Sequence, residues 1–108
     1  MSDYIQVLTT TETRDDAETI SRALVDERLA ACVQIVGPIT SIYRWQGKIN
    51  RAQEWQCWAK TRRELYSLIE ETIRRLHPYK VPEILAIDVA AGSPDYLAWL
   101  AEETKKDQ

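Results

Sequence analysis

Ser41-Ile42-Tyr43-Arg44-Trp45-Gln46-Gly47-Lys48-Ile49 is the stretch that decides the fold. Large β-favouring side chains run up to Gln46-Gly47-Lys48 and resume at Ile49, the pattern of two strands joined by a tight hairpin turn. Upstream, Ala31-Cys32-Val33-Gln34-Ile35-Val36 reads as the beginning of the same strand. Gly37-Pro38 interrupts it, and proline's missing donor predicts a bend or bulge there. Downstream, Ile49 to Lys60 reads as the returning strand, with Trp55, Cys57 and Ala59 on one face and Glu54, Gln56, Trp58 and Lys60 on the other. Each arm then spans roughly 40 Å at ~3.3 Å per residue, longer than a small sheet requires. A hairpin that long projects beyond the sheet and exposes Ile42, Tyr43, Trp45 and Trp58, an apolar surface suited to covering by another copy of the chain.

The flanking segments supply the rest of a sheet and its helices. Tyr4-Ile5-Gln6-Val7-Leu8-Thr9-Thr10-Thr11 is rich in β-branched and apolar residues and predicts a strand. Thr13 can cap a helix whose first turns carry Asp15, Asp16 and Glu18, where the dipole favours acids. Ala17, Ile20, Leu24 and Leu29 give it an apolar stripe to about residue 29. Thr61-Arg62-Arg63-Glu64 has the capping-box pattern, and Leu65, Leu68, Ile69, Ile73 and Leu76 follow at helical spacing until Pro78. Val81 to Ala91 predicts a fourth strand. Ser93-Pro94 opens a last helix carrying Tyr96, Leu97, Trp99 and Leu100, with Glu102 to Gln108 fraying beyond it. The order is βαββαβ plus an extra C-terminal helix. That predicts an α+β fold of ferredoxin-like type, one antiparallel sheet with two helices on one face and a long central hairpin.

Composition narrows the class. The chain has 108 residues, room for one domain over residues 1–108 and one core. A 44% apolar and 29% charged composition is that of a folded domain rather than a disordered one. A net charge of −3 gives no reason to attract nucleic acid, and Arg62-Arg63 and Arg74-Arg75 read as solvated helix faces. No apolar run is long enough to span a bilayer, and Met1-Ser2-Asp3-Tyr4-Ile5 has no basic segment followed by an apolar one. The expectation is a cytoplasmic protein without membrane contact. Cys32 and Cys57 lie in alternating apolar stretches and read as reduced, structural thiols.

Taken in order, several segments form a composite signature. They are Arg28-Leu29-Ala30-Ala31-Cys32-Val33, the Ser41–Ile49 stretch, Glu54, Lys60-Thr61, His77-Pro78-Tyr79-Lys80-Val81-Pro82-Glu83-Ile84, and Tyr96-Leu97-Ala98-Trp99-Leu100. In these residues the chain resembles the CutA (divalent-cation tolerance) family over nearly its whole length. The resemblance implies a homotrimer, PII-like in architecture, with hairpins joining neighbouring subunits, and an association with copper and other divalent metals. Two positions depart from family variants: Thr9 stands where some members carry Cys, and Leu76 where some carry a second His.

His77 is the single histidine. Before Pro78 at a helix end it reads as a group satisfying terminal carbonyls; the alternative is a metal ligand completed by Glu83 or a neighbouring chain. Glu54, Lys60 and Glu83 border strands and read as ion-paired or solvated ends. The sharper alternative is an intersubunit cleft in which Lys60 receives an anion and Tyr43, Trp45 or Tyr79 forms a wall. Trp45 and Trp99 read as packing anchors before ligand stackers. No Gly-rich phosphate loop, Gly-x-Ser-x-Gly or His-Glu-x-x-His motif is present, so no catalytic residues and no enzyme activity are expected. No required cofactor is expected either, only a weakly bound Cu(II) or other divalent ion. The main function reading is thus a divalent-cation tolerance protein, and the alternative a PII-like sensor binding a small anionic effector between subunits.

Overall fold

Alternation and β-branching make Tyr4–Thr11 the first strand, β1, in the computed structural model, which describes residues 2–106. Thr13 caps helix α1 (Arg14–Asp26) as expected: the Asp16 N–H donates to Thr13 Oγ1 at 3.1 Å. The helix stops three residues before Leu29 because Arg28 adopts φ 58°, a left-handed turn that lets the N–H groups of Leu29 and Ala30 both donate to Leu24 O. Leu29 still enters the core, from the turn rather than the helix.

Strands β2 (Cys32–Trp45) and β3 (Lys48–Arg62) form the hairpin. Gln46 and Gly47, at φ 51° and 78°, make a two-residue turn of the kind that matches strand twist. The expected irregularity at Gly37-Pro38 is a register shift between Val36 and Ile39. Glycine is required there by close approach: a Cβ on Gly37 would lie 2.5 Å from Trp55 Cε3. β1 pairs with β3 only from Trp55 to Arg62, so Lys48–Glu54 and its β2 partners extend past the sheet, by roughly 20 Å at ~3.3 Å per residue. The described molecule measures 44 × 25 × 21 Å.

The capping box at Thr61-Glu64 does not form. Thr61 stays in β3 opposite Ile5, and its hydroxyl donates to Leu29 O at 2.6 Å. A 3-10 turn (Arg63–Leu65) leads into α2 (Tyr66–Leu76), which has no side-chain cap. Sheet pairing through Tyr4 and Arg62 outweighs the local motif. The fourth strand, β4 (Ile84–Asp88), is shorter than the expected Val81–Ala91, because β1 is its only neighbour in the sheet. Ser93 flanks α3 (Pro94–Glu103) in extended conformation without a side-chain cap, and Pro94 is at the first helical position.

The sheet order is β2-β3-β1-β4, all neighbours antiparallel, the ferredoxin-like order expected. Ile5, Val7 and Ala59 face Ile20 and Leu24 of α1 and Ile69 and Ile73 of α2, so both helices share one core on one face. The expected fraying is corrected for most of the tail. Glu102 and Glu103 complete α3, and Thr104 is buried with its hydroxyl accepting from Arg62 Nε. The Lys105 N–H donates to Arg28 O at 2.7 Å. Asp107 and Gln108 lie outside the described residues. The opposite sheet face leaves Val36, Leu85 and Ile87 exposed. No helix among the described residues is long and apolar enough to cross a membrane.

Candidate functional site: a cavity at the root of the hairpin

Strand alternation places Ser41, Tyr43 and Trp45 on the hairpin face that also carries Glu54, since Ser41 pairs with Ala52 and Ile39 with Glu54. This face points away from α1, because Cys57, of the opposite parity, sends its thiol to Ala17 O. The other wall comes from the segment after α2. His77 ends that helix with its N–H on Ile73 O, in the extended conformation that a following proline enforces. Pro78 to Glu83 then cross to β4. Together Tyr43, Trp45, Glu54, Tyr79, Lys80 and Glu83 line a cavity of about 560 Å³, whose remaining walls include Thr10 and Ser41.

Glu54 organises the floor. It is 8% exposed, the sole carboxylate among the buried described residues. Ser41 Oγ donates to its Oε1 at 2.7 Å, and Tyr79 Oη donates to its Oε2 at 2.8 Å. Burial first, then the hydrogen bond to Glu54 and its charge, push the Tyr79 phenol far above the usual tyrosine range. The phenol therefore remains a donor at any physiological pH.

His77 stands behind this floor, 7% exposed, its ring 4.7 Å from that of Tyr79. The Tyr79 N–H donates to Nδ1 at 3.1 Å, so the proton is on Nε2, which lies 2.7 Å from Thr10 O and donates to it. Both ring nitrogens are thus engaged, and coordination by either would break one of these bonds. The ring does not satisfy the terminal carbonyls of its own helix, as the sequence reading expected; its carbonyl partner is Thr10 O of β1. Among the described residues, no three His, Cys, Asp or Glu side chains form a group able to hold a metal ion.

Of the six expected ligand-binding residues, Tyr43, Trp45, Glu54, Tyr79 and Glu83 come together at the cavity. Lys60 does not. It shares the Glu54 face but lies about six residues, roughly 20 Å, further along β3, and its Nζ donates to Gln34 Oε1. Lys80 is the cation at the cavity instead. Sequence reasoning also left Ser41, Thr10, Val81 and Ile42 out of the site, and Ile42, on the opposite parity of the hairpin, borders the cavity as well as the exposed apolar side. Ser41 was legible from its i, i+2, i+4 relation to Tyr43 and Trp45, whereas Thr10 depends on strand pairing that has no local signal. Cys57 is buried, which pushes its thiol pKa up, and Cys32 is half-buried; both are free.

Comparison with known proteins identifies the fold and its family. The divalent-cation tolerance protein CutA of Thermus thermophilus is 49% identical over 98 residues, covering 91% of this chain and 95% of that one. The crystal structure of CutA from Xylella fastidiosa superposes with a TM-score of 0.93 at 42% identity, covering 96% of this chain and all of that one. Protein CutA of Mus musculus is 44% identical over 89 residues, and the match spans 50% of that longer protein. The family model described as CutA1 divalent ion tolerance protein matches residues 5–103. By that match, and by the close superposition on a solved CutA structure, the chain belongs to the CutA1 divalent ion tolerance family.

Proposed function

We propose that the chain acts as a homotrimer in tolerance of divalent cations, without catalysing a reaction, and that copper or another divalent ion is held between copies rather than within one. The observation that carries this reading is the hairpin. Ile42 and Ile49 share one side of its projecting end and are 70% and 69% exposed, while Leu85 and Ile87 leave a second apolar area bare on the far sheet face. Exposed apolar surface of this extent marks a contact surface. Light scattering at micromolar concentration is expected to give three times the 12.5 kDa chain mass. Copper titration of that assembly should show saturable binding, and a variant separated into single chains should lose it. A monomeric mass, or equal copper binding by single chains, overturns the reading.

A second reading, a sensor that binds a small ligand in the cavity, is favoured by the Glu54–Tyr79–Ser41 network, which holds polar groups in place beside aromatic walls. Thermal-shift screening separates it, since a ligand at 100 times its Kd adds ~2.7 kcal/mol.

A further inference from the structure

We propose that the cavity at the hairpin root binds a small organic ammonium cation. This rests on the second reading above, that the cavity is a ligand site, and reverses the anionic character first expected of its ligand. Glu54 is buried, and none of the ion pairs among the described residues includes it: the Arg partners are Glu18, Glu64, Asp88, Glu70 and Glu27. Both its oxygens accept from neutral hydroxyls, which hold the carboxylate in place without balancing its charge. A buried carboxylate lacking a counter-ion is costly and is normally paired.

The surroundings select the kind of cation. Glu83 adds a second carboxylate to the lining, against the single cation Lys80, which is exposed. Tyr43 and Trp45 project from the same hairpin face as Glu54 and give aromatic walls, and Trp45 is still 50% exposed. Carboxylates beside aromatic faces are the recognition chemistry of alkylated ammonium groups, in which the ring quadrupole and the full charge attract the same weakly hydrated cation. A volume of about 560 Å³ fits a small organic molecule and far exceeds a bare metal ion.

The test uses the intact assembly, with tetramethylammonium chloride as probe and sodium acetate as the anionic counterpart, at constant ionic strength. Calorimetry and tryptophan fluorescence are expected to show saturable tetramethylammonium binding and none for acetate. Trp45→Leu and Glu83→Gln should each weaken it by roughly threefold to thirtyfold; these two suffice if Glu54→Gln does not fold. Acetate binding in place of tetramethylammonium overturns the proposal but keeps the cavity as a ligand site. No binding of either by an assembly of correct mass overturns both, and means that a neighbouring copy fills the cavity. Tetramethylammonium affinity unchanged in Trp45→Leu and Glu83→Gln places the binding elsewhere and also overturns the proposal.

Discussion

Replacing Ile42 and Ile49 together by serine tests the assembly surface directly. About two-thirds of each side chain is exposed in the single chain, at 70% and 69%, so little intrachain packing is lost. Full burial of an isoleucine contributes about 1.5–3 kcal/mol. Covering the remaining two-thirds against a neighbour then contributes about 1–2 kcal/mol per side chain, and two side chains on each of three copies give roughly 6–12 kcal/mol per trimer. Because trimer formation depends on the square of concentration, even the lower figure raises the concentration at which chains separate about a hundredfold, at ~1.4 kcal/mol per decade. Sedimentation velocity over a dilution series, in a fixed sub-denaturing guanidinium concentration, reads that shift. Glu71→Ala, on the exposed side of α2, serves as the control. Coincident dissociation curves for the double variant and the control refute the reasoning, since Ile42 and Ile49 would then face water in the assembly as they do in the chain.

Replacing Leu85 and Ile87, which are 53% and 39% exposed, by serine should shift the same curve by a smaller amount, about thirtyfold on the same reckoning. Stability should be full below about pH 10 and fall above it, because the unfolded chain gives up the Tyr79 proton near ~10 while the folded chain, through burial and Glu54, retains it. Tyr79→Phe should make the loss of denaturation midpoint shallower, although Tyr66 and Tyr96, also raised by burial, keep part of it. Gly37→Ala should lower stability by ~1–3 kcal/mol in guanidinium melts, because its Cβ would press on Trp55 at 2.5 Å; an unchanged midpoint would mean that the bulge yields. His77→Ala should cost ~1–3 kcal/mol by leaving Thr10 O and the Tyr79 N–H unpaired. Copper affinity of the assembly should not change with it, and its loss would return the ring to a ligand role.

The elements were legible where a local pattern and the sheet agreed. Thr13 and its following acids, the Gln46-Gly47 turn and the Leu65–Leu76 stripe each act through neighbours in sequence, so reading them requires no partner. Thr61-Glu64 misled for the opposite reason: its capping pattern is local, but Thr61 belongs to a ladder with Ile5, from a strand more than fifty residues earlier. The site was legible by face and not by depth. Parity placed Glu54 and Lys60 together, but where each lies along β3 relative to the Pro78–Glu83 segment is decided by how far the hairpin overhangs β1. That overhang puts Glu54 under Tyr79 and leaves Lys60 with Gln34.

The two apolar areas also bear on how copies meet. Ile42 and Ile49 lie on the parity of the hairpin that faces the helices' side of the sheet, whereas Leu85 and Ile87 lie on the far face beside Leu8 and Gln6. A twofold dimer covers both areas only where the hairpin side of each copy lies on the far sheet face of the other at the same time. Setting the hairpin side of one copy against the far sheet face of the next covers both, and a contact between unlike surfaces closes into a ring or runs on as a filament. In the proposed ring of three, loss of either area would break every contact, because each contact would use one area from each of two copies.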